Sequence, residues 1–136
     1  MKKLLMISLL FYSVHLAAQT EPPADSLATD EKVYEMFDVQ TPPKYPGGEN
    51  ELVRFLAQNI RYPAEARKNK VAGIVILTFV VNKDGSISDA DILRDIGSGC
   101  GVEAKRVVES MPDWTPGELR GNTVRVRFTL PVRFKL

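Results

Sequence analysis

Residues 123–136 read TVRVRFTLPVRFKL, a stretch in which apolar and polar side chains alternate without a break. Every even-numbered position is valine, phenylalanine or leucine, and every odd-numbered one is threonine, arginine, proline or lysine. This period of two predicts a strand that buries one face on a core and exposes the other. Pro131 has no N–H for a neighbouring strand, which predicts an edge strand with one unpaired side. An unpaired side can accept an extended peptide from another protein.

The composition excludes several classes of function. The length of 136 residues is typical of one globular domain. The net charge of +1 is too small to attract the chain to nucleic acid or acidic lipid through an overall electrostatic field. His15, the only histidine, lies in the N-terminal leader described below, so the mature chain has none, and Cys100 is the only cysteine. This excludes Ser–His–Asp and Cys–His sites, a zinc cage and an internal disulfide. Asp89 and Asp91 are typical of the solvent face of a strand. We therefore predict that the chain is not an enzyme and has no cofactor, metal or small-molecule substrate.

The N-terminus is typical of a secretory signal. Two lysines precede an apolar run that ends near Leu16 and is followed by Ala17 and Ala18. The run of about 13 residues is shorter than the ~20 that a membrane-spanning helix needs, which favours a cleaved leader. We predict a signal peptide over residues 1–18, cleaved between Ala18 and Gln19.

The next segment, residues 19–44, is polar and rich in proline, and it predicts a linker. Its part over residues 31–40 carries enough apolar side chains to dock a short element on the domain that follows. That domain is predicted over residues 45–136. It starts with an amphipathic helix over residues 49–60 and a short helix from Pro63 to about Asn69.

Three strands are predicted in the domain. Residues 73–81 are apolar on both faces, which predicts a central strand, and a more polar, bulged strand over residues 86–96 follows a turn. A helix over residues 102–111 then leads to the last strand. Because a helical crossover makes the second and third strands parallel, they share an antiparallel sheet only if the first strand lies between them. We predict an α+β fold with a three-stranded antiparallel sheet in the order 2-1-3 and helices on one face.

Several spaced motifs resemble the C-terminal domain of TonB-family energy transducers, of the Bacteroidetes type. They are Tyr45-Pro46-Gly47-Gly48, Ile60-Arg61-Tyr62-Pro63, Phe79-Val80-Val81 with Asp84-Gly85, Met111-Pro112-Asp113-Trp114-Thr115-Pro116-Gly117 and Leu130-Pro131-Val132-Arg133-Phe134. The positions that the resemblance marks as structural are Tyr45, Pro46, Gly47, Gly48, Tyr62, Pro63, Gly85, Pro112, Trp114, Pro116 and Gly117.

The resemblance implies a periplasmic domain whose last strand receives the TonB box, a short segment of outer-membrane receptors for siderophores, cobalamin or glycans. The implied acceptor edge comprises Val124, Arg125, Val126, Arg127, Phe128, Thr129 and Leu130. Full transducers that resemble this domain have an uncleaved membrane helix and a long proline-rich span. Residues 19–48 reach at most ~90 Å even as polyproline II. We therefore expect a module that binds receptors without transmitting force.

Two alternatives stay open at this point. A retained leader would anchor a short transducer in the inner membrane, where it would work with a proton-driven motor. In the other, residues 31–40 or a second copy of the chain close the edge of the last strand, which leaves a structural or dimerising module.

Overall fold

The computed structural model describes residues 32–136. The predicted signal peptide, its cleavage site between Ala18 and Gln19, and the linker up to residue 31 lie outside the described residues. Within residues 32–136 the chain forms five strands and three α-helices around one sheet.

The central strand is β2, Gly73–Val81, and it lies between two antiparallel neighbours. On one side is β5, Asn122–Phe134, which pairs along the whole length of β2. On the other side is β3, Ile87–Arg94, whose register shifts near Asp89, a residue with a φ of 53°. The predicted central strand, the relative order of these three strands and the bulge are confirmed, although β5 is not the outermost strand of the sheet.

Two short strands that the sequence did not predict enlarge the sheet. β1, Val33–Glu35, runs parallel to residues 125–127 of β5. β4, Gly117–Leu119, forms a tight hairpin with the start of β5. The prediction of a three-stranded, purely antiparallel sheet is therefore wrong in strand count and in direction at β1. A strand of three residues is too short to show a period, and Glu35 lies 92 residues from Arg127, which it faces.

The helices are α1, Glu49–Asn59, α2, Ala64–Lys68, and α3, Cys100–Glu109. α3 begins two residues before the predicted start at residue 102. The reason is a cap supplied from the preceding loop: Asp95 Oδ1 accepts hydrogen bonds from the backbone N–H groups of Gly97 at 2.9 Å and Gly101 at 3.0 Å.

The core fills the space between the helices and one face of the sheet. It takes the odd-numbered side chains of β2 and the even-numbered side chains of β5, together with residues of the helices. Its members include Val75, Leu77, Phe79, Val81, Leu130, Val132, Phe134, Leu52, Ala104 and Val108. The even-numbered side chains of β5 are therefore committed to folding, and its odd-numbered side chains point to the other face.

Candidate functional site

Pro131 fixes the direction of the backbone groups of β5. It lies opposite Ile76 of β2 and has no N–H to donate, so the two form a non-hydrogen-bonded pair. Backbone groups alternate between the two sides of an antiparallel strand, so the odd-numbered residues of β5 direct their N–H and C=O groups away from β2. We call this row of groups the outer edge of β5, and the predicted acceptor site depends on it.

The first part of the outer edge is already paired with β1. Tyr34 lies opposite Val126, and this parallel register directs the Tyr34 N–H to the Arg125 C=O and the Arg127 N–H to the Tyr34 C=O. Glu35 Oε1 also lies 2.7 Å from Arg127 Nη1. The expected acceptor edge over residues 124–130 is therefore not open throughout, because the chain's own N-terminal segment closes it at residues 125–127. The partner-binding role of residues 124–130 stays a prediction.

Beyond Arg127, no strand within residues 32–136 pairs with the outer edge of β5. The outward groups there are the N–H and C=O of Thr129, the C=O of Pro131 and the N–H and C=O of Arg133. We call residues 129–133 the free edge.

A groove of about 760 Å³ lies between the free edge and α1. A second groove of about 480 Å³ continues along residues 131–135 and ends beside Arg67. The apolar side chains that line the first groove include Met36, Pro43, Tyr45, Leu52, Val53, Leu56, Phe128 and Leu130. A strand added at the free edge could therefore place alternate side chains in an apolar groove.

An aromatic cluster supports the first groove. Trp114 is only 4% exposed and lies edge-on to three other rings. Its ring centroid is 4.9 Å from Phe128, 5.3 Å from Phe79 and 5.7 Å from Tyr45. Such pairs contribute about 0.5–1.5 kcal/mol each beyond their buried area. The wall formed by Tyr45 and Phe128 is therefore held from behind.

Two of the predicted motifs meet beside this cluster. Lys44 and Thr115 exchange backbone hydrogen bonds of 3.0 and 2.8 Å, which join the Tyr45-Pro46-Gly47-Gly48 loop to the loop of Trp114. The backbone N–H of Trp114 also donates to Gly85 C=O at 2.8 Å. At Gly85, with a φ of 88°, an added Cβ would lie 2.1 Å from Trp114 O, so only glycine fits there.

Two further motif residues, Tyr62 and Gly117, make close contacts elsewhere in the fold. Tyr62 donates its hydroxyl to Val71 C=O and sets its ring edge-on to Phe134 at 5.7 Å. A Cβ on Gly117 would lie 2.7 Å from Val126 Cγ2, so this glycine allows β4 to approach β5 closely. Pro46, Pro63, Pro112 and Pro116 are exposed or half-buried.

The cations of β5 are not equivalent. Arg125 bonds through Nε to Asn82 Oδ1 at 2.9 Å and lies 3.5 Å from Asp89, so it belongs to the β2–β3 turn. Arg127 forms an ion pair with Glu35, and both side chains are more than a third exposed. Arg133 is exposed on the rim of the second groove. Arginines therefore lie at both ends of the outer edge, and the two at its start are paired with carboxylates.

Burial affects two titratable groups near the core. Desolvation raises the pKa of the Tyr45 hydroxyl, and Glu51 raises it further. Desolvation also raises the pKa of the Cys100 thiol, and Asp95 adds to that effect. Both groups are therefore neutral at pH 7.

Sequence reasoning missed the side of the site formed by α1 and the ion pair of Glu35 with Arg127. One available signal was Val53, an apolar residue that lies off the predicted buried stripe of α1 and is 59% exposed on the groove. The ion pair had no local signal, because its two residues meet only in the folded sheet.

No group of three or more histidine, cysteine, aspartate or glutamate side chains in residues 32–136 could hold a metal ion. Over the same residues, none of the helices combines the length and the apolar character that crossing a membrane requires.

A family model agrees with the motifs. Residues 58–136 match the family model described as Gram-negative bacterial TonB protein C-terminal. The chain is similar to the NMR solution structure of Helicobacter pylori TonB-CTD, residues 179–285, at 25% identity over 67% of this chain and 86% of that one, with a TM-score of 0.46. A shorter form of that domain, residues 194–285, is similar at 23% identity over 63% of this chain and 90% of that one, with a TM-score of 0.42. No curated protein sequence matches.

Proposed function

Because this chain belongs to the TonB C-terminal family, we propose that it binds extended segments of outer-membrane TonB-dependent receptors in the periplasm, in energy-coupled nutrient transport. The segment adds as a strand to the outer edge of β5. The observation that carries this proposal is the free edge itself, whose backbone groups at residues 129–133 have no strand partner in residues 32–136 and lie next to an apolar groove.

The free edge and the groove have different roles in binding. Each backbone hydrogen bond contributes about 0.5–1.5 kcal/mol net, and association and ordering cost several kcal/mol, so pairing alone gives weak binding. Apolar side chains that enter the groove contribute ~25 cal/mol per Å² of buried area. The preferred partner segment is therefore extended and apolar at alternate positions.

The test uses fluorescent peptides from the periplasmic N-terminal segments of the host's outer-membrane receptors. Thr129→Pro removes an outward N–H and places a ring where the added strand would lie, whereas Thr129→Val keeps the N–H at nearly the same volume. We expect Thr129→Pro to weaken peptide binding about tenfold or more, which corresponds to ~1.4 kcal/mol, and Thr129→Val to leave it unchanged. Equal affinities of the two variants would overturn the proposal, as would the absence of binding to every receptor peptide.

The cellular location belongs to the same proposal. If the leader is a cleaved signal, N-terminal sequencing of the exported protein begins at or near Gln19, and carbonate releases the protein from membranes. An intact N-terminus in a carbonate-resistant membrane fraction, together with motor subunits in a pulldown, would instead support the anchored transducer.

A further inference from the structure

The segment over residues 32–38 lies on the same outer edge that the proposed function assigns to the partner. β1 pairs with residues 125–127, and the 3-10 turn Met36–Asp38 follows it toward the free edge. Met36 itself lines the first groove, as Thr129 does. A partner strand on the free edge therefore meets this segment as soon as it extends past Thr129 toward the start of β5.

This segment is held weakly. None of its residues is buried, and Phe37 is 85% exposed. Lys32 Nζ lies 4.6 Å from the Tyr34 ring centroid, but that contact lies within the segment and does not join it to the sheet. The hydrophobic core starts at Tyr45, so the segment can leave the edge while the core stays intact.

Two kinds of contact hold the segment on β5. One is the backbone pairing of Val33–Glu35 with residues 125–127, and the other is the ion pair of Glu35 with Arg127, whose side chains are 40% and 45% exposed. Exposed ion pairs and backbone hydrogen bonds each contribute little net stability, and the cost of ordering the segment offsets part of it. A partner that makes the same contacts can therefore displace the segment.

We propose that residues 32–38 are a built-in competitor for the outer edge, and that a partner which displaces them carries a carboxylate that takes the place of Glu35 on Arg127. This inference rests on the proposed function. The chain's own segment indicates the chemistry of such a partner, which has an apolar or aromatic residue where Tyr34 lies and an acidic residue directly after it. Arg127 disfavours a lysine or arginine at the acidic position.

The first test undocks the segment in the full chain. Tyr34→Pro removes the N–H that bonds Arg125, and Glu35→Lys places a cation against Arg127. Asp38→Lys is the matched control, because it makes the same charge change at an exposed residue in the adjacent 3-10 turn. We expect the amide of Arg127 to exchange with solvent about tenfold faster in both β1 variants and at the wild-type rate in Asp38→Lys.

The second test supplies the competitor from outside. The probe is a synthetic peptide of residues 32–40, KVYEMFDVQ, and a version of it in which the residue at position 35 is lysine. We expect the Tyr34→Pro chain to bind the natural peptide about tenfold or more tightly than the wild-type chain does, because its edge is no longer occupied. The lysine version should bind the Tyr34→Pro chain more weakly, and Arg127→Glu in that chain should reverse the preference.

Failure of this inference is distinct from failure of the proposed function. If receptor peptides bind the wild-type and Tyr34→Pro chains equally and the exchange of the Arg127 amide does not change, the segment is not a competitor, although the chain still binds receptors. If the chain's own peptide binds and receptor peptides do not, the edge accepts strands but the proposed partner is wrong. An equal affinity for the natural and the lysine peptide would overturn the role of Arg127.

Discussion

Gly85→Ala tests whether the contact between Gly85 and Trp114 holds the aromatic cluster behind the groove. Gly85 has a φ of 88°, and alanine in the left-handed region costs about 1–2 kcal/mol. The new methyl would also lie 2.1 Å from Trp114 O, a backbone atom that can move only with its loop. That movement would break the 2.8 Å hydrogen bond from the backbone N–H of Trp114 to Gly85 C=O, worth about 0.5–1.5 kcal/mol, and loosen the packing of the Trp114 ring.

The strain and the lost hydrogen bond together cost about 1.5–3.5 kcal/mol, and the looser packing of Trp114 adds to this, which is a large share of the ~5–15 kcal/mol that stabilises a typical domain. Gly121→Ala is the matched control, because Gly121 has a φ of 78° and no atom within 4 Å of an added Cβ. It bears the backbone strain alone and should lose only about 1–2 kcal/mol.

The assay is urea unfolding followed by tryptophan fluorescence, since Trp114 is the only tryptophan of the chain. The reasoning is refuted if Gly85→Ala and Gly121→Ala lower the free energy of unfolding by the same amount.

Three further predictions concern β5, Cys100 and Asp95. Val132→Pro removes an N–H that faces β2 and should destabilise the domain by about 3 kcal/mol or more. Thr129→Pro, at an outward position, should shift the melting temperature only slightly. Equal shifts in melting temperature would contradict the assigned direction of the backbone groups. Because burial raises the pKa of the Cys100 thiol, the folded state keeps a proton that the unfolded state loses as the pH rises through 9.0. The free energy of unfolding should therefore fall over this pH range, and it should fall less in Cys100→Ala. An identical pH dependence of the two chains in urea titrations would argue against this prediction. Asp95→Ala removes the cap of α3 and should lower the free energy of unfolding by about 1–2 kcal/mol in a thermal melt. Asp113→Ala, at an exposed loop position, should leave the free energy of unfolding unchanged. If Asp95→Ala also leaves it unchanged, the cap is dispensable.

Where a side chain pattern repeats along one element, the sequence predicted that element and its faces. The alternation in residues 123–136 predicted which side chains of β5 enter the core, and the doubly apolar residues 73–81 predicted that β2 is central. A repeating side-chain pattern is a local property of the sequence. It shows which face of an element is buried by the hydrophobic effect, wherever that element lies in the fold. The strand order then followed from chain connectivity.

The start of α3 shows where a local pattern is insufficient. Its first turn is capped by Asp95, which reaches Gly101 from across a loop of glycine and serine, so the helix begins earlier than its apolar stripe suggests. The cap depends on the fold of that loop, which the spacing of apolar residues does not describe.

The sequence by itself determined the faces of the main strands, the amphipathic helices, the central position of β2 and the unpaired side that Pro131 requires. Only the tertiary structure decided which part of that side is free. β1 has only three residues and pairs with β5, which is distant in the sequence. The groove exists only because α1 lies beside residues 129–133. Pairing of this kind is decided by which backbone groups remain unbonded after the core has formed, and that is a property of the whole fold.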